Sequence, residues 1–275
     1  MRGRTVAVGP VEVGEGRPVA LIAGPCALES EAIALEVARE VASLAERLGV
    51  PYIFKSSYLK DNRLSPGSYS GPGLEEGLRI LSRVREGVGV PVLSDVHARE
   101  EVAPAAAVLD AIQIPAFLCR QTSLLEAAAR TGKPINIKKG QFMAPWDMAQ
   151  SVAKVRSAGN DNVLITERGA SFGYNRLVTD FRAISQMQAY APVVFDATHS
   201  VQAPAGLGDF SGGERLFAPL LARAAMAVGA DALFIETHPD PAVAKCDAAC
   251  QLPLAEMADV LARCKAVRDA ACPGD

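Results

Sequence analysis

The 275-residue sequence predicts an α/β fold, a closed (β/α)8 TIM barrel entered through a short N-terminal β-hairpin. Three observations predict it. Eight short apolar runs recur along the chain, nearly unbroken, as strands buried on both faces are. A helical stretch follows each run, the alternation that builds a parallel sheet. Polar or charged residues then stand at the end of every run, where a barrel of this kind keeps its chemistry.

Residues 1–18 form an extension ahead of the barrel, in which TVAVGPVEVGEGRP (5–18) reads as a two-stranded hairpin. The first strand is 19–23. In the helix predicted over 30–48, Ile33, Val37, Val41, Leu44 and Leu48 share one stripe, Ser30 caps the start and Gly49 the end. Strand 52–54 leads through a long polar loop to helix 74–86. Strand 91–93 leads to segment 98–108, a weaker helix because Pro104 interrupts it. After strand 111–114, Ser123 and Glu126 have capping-box spacing for a helix over 122–132 that ends at Gly132. Strands 135–137, 163–165, 193–195 and 233–235 alternate with helices 146–158, 176–188, 213–228 and 254–269. An open doubly wound sheet is the alternative, and no G-x-G-x-x-G follows the first strand to support it. With no repeat, low-complexity segment or second core, residues 1–275 read as one domain with a loose end at 271–275.

Hydrophobic residues make up 49% of the chain and charged ones 21%, with a net charge of −3 and a pI near 5.7. This balance argues against general affinity for nucleic acid or an anionic membrane, so an anion site must be a local cluster of cations. The most apolar stretch, 216–235, is broken by Arg223 and Asp231, and no transmembrane helix is expected. Neither a signal peptide nor paired cysteine spacing is visible among Cys26, Cys119, Cys246, Cys250, Cys264 and Cys272. A reduced, cytoplasmic setting is expected.

The strand ends supply two sets of side chains. The cations are Lys60, Arg63, Arg120, Lys138 and Arg168, with Lys55, Asn62, Asp95, His97 and Gln113 beside them. Such a cluster suits two phosphate groups and a carboxylate, arginine giving bidentate contacts. Ordinary ion pairing is the plain alternative for each cation alone. The second set is Cys26, His199, Glu236 and Asp247, a ligand set plausible for zinc, iron(II), manganese, cobalt or a similar divalent ion. The first and last strands adjoin when a barrel closes, which brings residues 26 and 236 together. Singly, Cys26 could be a small core residue, His199 could bond a carbonyl, and Glu236 could pair with Lys138.

Seven segments carry a family resemblance: GPCALES, FKSSYLKDNRLSPGSYSGPGLEEGL, SDVH, IQIPAFLCRQTSLLEAAARTGKPINIKKGQFMAPWDM, ITERGASFGYNRLVTDFR, VVFDATHS and FIETHPDPAVAKCDAACQLPL. Over residues 19–254 the chain resembles the 3-deoxy-D-manno-octulosonate 8-phosphate synthases. The resemblance implies a homotetrameric barrel that condenses phosphoenolpyruvate with D-arabinose 5-phosphate and releases phosphate for lipopolysaccharide synthesis. Cys26, where metal-independent members carry asparagine, implies the metal-dependent branch. The metal-ligand role passes to Cys26, His199, Glu236 and Asp247. Phosphoenolpyruvate contacts pass to Lys60, Gln113, Lys138 and Arg168, and sugar-phosphate contacts to Asn62 and Arg63. Arg120 is expected to reach a neighbouring subunit's site.

One segment departs from the family pattern. Where the family reads K-A-N-R-S-S, this chain reads Lys60-Asp61-Asn62-Arg63-Leu64-Ser65, and Leu64 cannot donate the serine's hydrogen bond to the sugar phosphate. The related heptulosonate synthases, which use erythrose 4-phosphate, carry K-P-R-T-S there; Asn62 favours the octulosonate reading. A non-catalytic sugar-phosphate-binding barrel is the third reading, and a Schiff base on Lys138 the rival mechanism. Expected roles in catalysis fall to Lys60 and Lys138 as anion-holding cations and to His97 or Asp247 as proton carriers.

Overall fold

Side chains along a strand alternate between its two faces, so each barrel strand sends every second residue inward and the others toward the helices. A computed structural model of the chain describes residues 4–63, 65–205 and 212–272. β1 (Thr5–Val8) and β2 (Val11–Gly14) pair antiparallel as the expected hairpin. The barrel begins with β3 (Ala20–Gly24), β4 (Tyr52–Lys55), β5 (Val92–Asp95), β6 (Ala111–Ile114), β7 (Ile135–Lys138) and β8 (Val163–Glu167). A small hairpin of β9 (Ala170–Ser171) and β10 (Leu177–Val178) precedes β11 (Val193–Asp196). The short pair β12 (Gln202–Ala203) and β13 (Gly212–Gly213) precedes β14 (Ala232–His238), and β15 (Leu252–Pro253) joins the end of β14. β14 pairs in parallel with both β3 and β11, which closes the eight-stranded barrel.

The outward residues, among them Leu21, Phe54, Ile112, Ile135, Ile165, Phe195 and Leu233, pack under the helices. The inward residues near the strand starts are apolar too: Ala20, Ile22, Ile53, Leu93, Ala111, Leu164, Val194, Ala232 and Phe234. Val6, Val8, Val11 and Val13 of the hairpin join this inner cluster, so the hairpin plugs the N-terminal mouth of the barrel. Farther along, the inward positions turn polar, with Lys55, Asp95, Gln113, Asn136, Lys138, Thr166, Asp196 and Glu236 all buried. The chemistry is therefore gathered at the C-terminal mouth by one change in residue type along most of the strands, β4, β5, β6, β8, β11 and β14.

The helices are α1 (Glu31–Leu48), α2 (Leu74–Val88), α3 (Arg99–Val108), α4 (Thr122–Ala129), α5 (Met148–Ser157), α6 (Arg182–Gln188), α7 (Ala197–Ser200), α8 (Ala218–Ala227) and α9 (Met257–Ala271). Ser30 accepts from the Ile33 N–H, and Gly49 ends α1 at φ 65°, as the sequence predicts. Other expectations need correction. α3 runs from Arg99 to Val108 through Pro104, which costs it the one hydrogen bond that residue 104 would donate. α4 starts at Thr122 behind Gln121, with no side-chain cap, so Ser123 lies inside the helix and forms no capping box. α6 starts late because residues 177–178 are drawn into the β9–β10 hairpin, and α8 because 212–213 pair with 202–203. α7, a single turn directly after β11, was not expected, and it carries His199.

Candidate active site

The approach of β3 to β4 starts the site. A Cβ on Gly24 would lie 2.1 Å from the Lys55 carbonyl oxygen, so only glycine lets the two backbones come this close. The strands stay joined past their ends: Ser57 N–H donates to the Cys26 carbonyl (3.3 Å) and Leu28 N–H to that of Ser57 (3.0 Å). Gln251 ties Cys26 to the loop after β14, accepting from Cys26 N–H (3.0 Å) and donating to the Cys246 carbonyl (2.7 Å). Asp247 sits in that loop at φ 45°, a left-handed conformation costly for a non-glycine residue and held by its surroundings.

Asp196 orients the imidazole. One carboxylate oxygen accepts the His199 backbone N–H (2.9 Å) and the other meets Nδ1 (2.7 Å). That leaves Nε2 facing Glu236 Oε2 at 3.6 Å and Asp247 Oδ2 at 3.7 Å. The Cys26 sulfur lies 3.4 Å from Asp247 Oδ2 and 2.8 Å from the Cys246 sulfur. Two triads that could hold a metal ion result, Cys26–Cys246–Asp247 and His199–Glu236–Asp247, each with its donor atoms within 4.8 Å of one another and sharing Asp247. Glu236 Oε2 is buried with no hydrogen-bond partner among the described residues. Burial and the adjacent Cys246 thiol push the Cys26 thiol well above its ordinary pKa, so its ionised form calls for a cation beside it. Thiol, imidazole and carboxylates with one orphaned oxygen fit a divalent ion. The four residues chosen from the sequence are thus brought together, and Asp196 holds the His199 imidazole as a carboxylate would hold a ligating histidine.

Lys55 is buried against this cluster, 2.8 Å from Glu236 Oε1, 3.3 Å from the Cys26 carbonyl and 3.9 Å from Asp95. Burial opposes a charge on Glu236, but His199, Lys55, Lys60 and Lys138 outweigh it and hold its pKa below the ordinary carboxylate range. Glu236 therefore pairs with Lys55 rather than Lys138, whose ammonium lies 2.6 Å from Asp196 and 4.1 Å from the centre of the Phe234 ring.

Beside these residues opens a cavity of about 690 Å³. Lys60, Asn62, Arg63, Asp95, His97, Lys138, Arg168, His199 and Asp247 line it. Arg168 Nη2 donates to Gln202 Oε1 (3.0 Å), and Gln202 Nε2 to Asp247 (3.2 Å). Arg168 Nη1 is buried with no partner among the described residues, a donor left open for an anion. Arg63 Nη1 donates to the Cys246 sulfur (3.1 Å). His97 rests 3.5 Å from Glu101, whose carboxylate also accepts its backbone N–H (2.8 Å).

Three sequence choices are placed elsewhere. Lys55 and Gln113 lie behind the cavity wall and reach it only through the residues they bond. Arg120 is exposed and off the cavity, its carbonyl accepting from Lys154. Leu64 lies outside the described residues, and Ser65 does not line the cavity. The sequence reading missed Gln202, at the start of the two-residue strand β12, and Gln251, in the loop just before β15, neither of which carries a local signal. It also passed over Asn136 and Thr166, whose polar side chains inside apolar strands mark inward positions.

The model of the DAHP synthetase I family matches residues 5–271. The chain belongs to the DAHP synthetase I family. Within that family, curated relatives of high similarity bear the name 2-dehydro-3-deoxyphosphooctonate aldolase. The relative from Trichlorobacter lovleyi is 56% identical over 96% of this chain and 97% of its own length. That from Desulfosudis oleivorans is 55% identical over 97% of this chain and 96% of its own. That from Acidithiobacillus ferrooxidans is 56% identical over 91% and 89%. The resemblance read from the motifs is borne out, and among these relatives the octonate name prevails although the family description names the other synthase.

Proposed function

We propose that this chain is a 3-deoxy-D-manno-octulosonate 8-phosphate synthase that condenses phosphoenolpyruvate, D-arabinose 5-phosphate and water and releases phosphate. One observation carries the reading: Lys60, Arg63, Lys138 and Arg168 converge on a single cavity whose floor adjoins Cys26, His199, Glu236 and Asp247. C3 of phosphoenolpyruvate attacks the aldehyde carbon, water adds at C2, and the phosphorylated hemiketal expels phosphate. Lys60, Lys138 and Arg168 hold phosphoenolpyruvate, and the open Arg168 N–H is available to its phosphate or carboxylate. Asn62 and Arg63 hold the aldose phosphate, so orientation supplies much of the rate. His97 and Asp247, both at the cavity wall, are placed to move protons. Cys26, His199, Glu236 and Asp247 would hold a divalent ion, which when bound supplies Lewis acidity.

We place the enzyme in the cytoplasm; no helix among the described residues is long and apolar enough to cross a membrane. The chain acts as one domain, 1–275. A homotetramer is supported by Arg120, exposed beside Phe117 (51% exposed), and by Phe142 and Trp146 (each 59%) on the next loop. Phosphate release from phosphoenolpyruvate, measured with each aldose, tests the reading. It is expected with arabinose 5-phosphate and to vanish on chelation, returning with added divalent ion. Preference for erythrose 4-phosphate favours the heptulosonate alternative, and no release with either aldose favours a binding barrel. In Cys26→Asn, bound metal measured by elemental analysis is expected to fall; turnover indifferent to chelator overturns the metal assignment.

A further inference from the structure

Inside the barrel, a line of buried hydrogen bonds crosses four consecutive strands. The Thr166 hydroxyl on β8 donates to Asn136 Oδ1 on β7 (2.7 Å). Asn136 Nδ2 donates to Gln113 Oε1 on β6 (2.9 Å). Gln113 Nε2 donates to Asp95 Oδ1 on β5 (2.5 Å), and the Ser57 hydroxyl donates to the other Asp95 oxygen. Thr166, Asn136, Gln113 and Ser57 are all fully buried, whereas Asp95 alone of the five lines the cavity.

The line can run in one direction only. An ionised carboxylate accepts and never donates, so Gln113 must turn its NH2 group to Asp95. Its oxygen then faces Asn136, which must present its own NH2 group. The Asn136 oxygen is left facing Thr166, and only a donor satisfies it. An amide that flips anywhere along the line sets two oxygens, or two N–H groups, against each other in a site without water access, and the error passes to the next amide. With one donor already fixed on each oxygen, Asp95 directs its remaining acceptor capacity into the cavity, where a polyhydroxy aldehyde offers hydroxyl donors.

We infer that Thr166 and Asn136 are positioning residues which, acting through Gln113, hold the Asp95 carboxylate in a single orientation toward a hydroxyl of the aldose substrate. The assignment rests on the synthase reading above. Neither residue touches the cavity, so the effect travels through the amide orientations. Thr166→Val keeps the shape and removes the terminal donor. Thr166→Ser keeps the donor and removes a methyl group.

The test is steady-state phosphate release by wild type, Thr166→Val, Thr166→Ser, Asn136→Leu and the Asn136→Leu/Thr166→Val double variant, with kcat and both KM values determined. Metal content and far-UV circular dichroism are checked on each. Removing the donor is expected to lower kcat/KM for the aldose phosphate about tenfold, the worth of one buried hydrogen bond. Serine restores the rate to within about threefold, and the KM for phosphoenolpyruvate moves less than that for the aldose. The double variant is no slower than Asn136→Leu alone, because the line is already cut. Should valine disturb folding, Thr166→Ala against Thr166→Ser isolates the hydroxyl in the same way. A valine variant within twofold of an active wild type, a serine variant that fails to rescue, or losses that multiply in the double variant would each overturn the assignment. A wild type inactive with both aldoses overturns the functional reading first, and this assignment with it.

Discussion

Removing the Glu236 carboxylate alone should unbalance the deepest ion pair of the barrel. Glu236 and Lys55 are each 1% exposed or less and meet at 2.8 Å. In Glu236→Met the Lys55 ammonium keeps the Cys26 carbonyl at 3.3 Å and Asp95 at 3.9 Å, but loses its closest counter-charge. Breaking one side of such a buried pair costs about 3–5 kcal/mol, because the surviving charge stays out of water. At about 2–3 °C per kcal/mol for a large domain, the melting temperature should fall by roughly 6–15 °C. The double variant Lys55→Met/Glu236→Met removes both charges and replaces them with side chains of similar volume. It should recover most of that loss, to within about 2 kcal/mol of the parent, since two methionines need no counter-charge. The assay is thermal unfolding by circular dichroism at fixed protein concentration in the presence of chelator, so that metal linkage does not enter. A single variant melting within about 2 °C of wild type, or a double variant whose loss equals the sum of the singles, would refute the reasoning.

Two further outcomes test the scaffold. In Gly24→Ala the new Cβ falls 2.1 Å from the Lys55 carbonyl oxygen, so β3 and β4 must separate; lower thermal stability and reduced metal content together are expected, and unchanged values in both would show that the strands can yield. Burial works against the charge on Glu101, but hydrogen bonds from His97 and Tyr58 outweigh it and bring its pKa to about 2, from an ordinary 4.5. The folded pKa is depressed, so its stabilisation is complete above pH 4.5 and fades as pH falls from 4.5 through about 2. Denaturant titrations across that range should show a shallower acid loss in Glu101→Gln than in wild type; identical slopes would remove Glu101 from the account.

The barrel and the composition of its upper rim were legible in the chain. The eight apolar runs became the eight barrel strands because both faces of each are covered, one by helices and one by the inner core. Reading the polar residue after each run reached Cys26, Lys138, Arg168, His199 and Glu236. Helix starts were read less well. Short pairings such as β9 with β10 and β12 with β13 draw in residues 177–178 and 213, the starts of segments read as helix. Non-local backbone hydrogen bonds decided those boundaries, and no window of local sequence contains their partners.

What residue order alone settled is the alternation of strand and helix, the parity that sends Asn136 and Lys138 to the same side of β7, and the chemical types gathered at one rim. Tertiary structure settled which of those groups meet. It gave Glu236 to Lys55 rather than Lys138, turned His199 by way of Asp196, and linked Thr166 to Asp95 across four strands. The reason is physical. Strand and helix periods are set by neighbours a few residues apart, whereas partner choice depends on barrel closure and register, which bring residues such as 26 and 247 to within 3.4 Å.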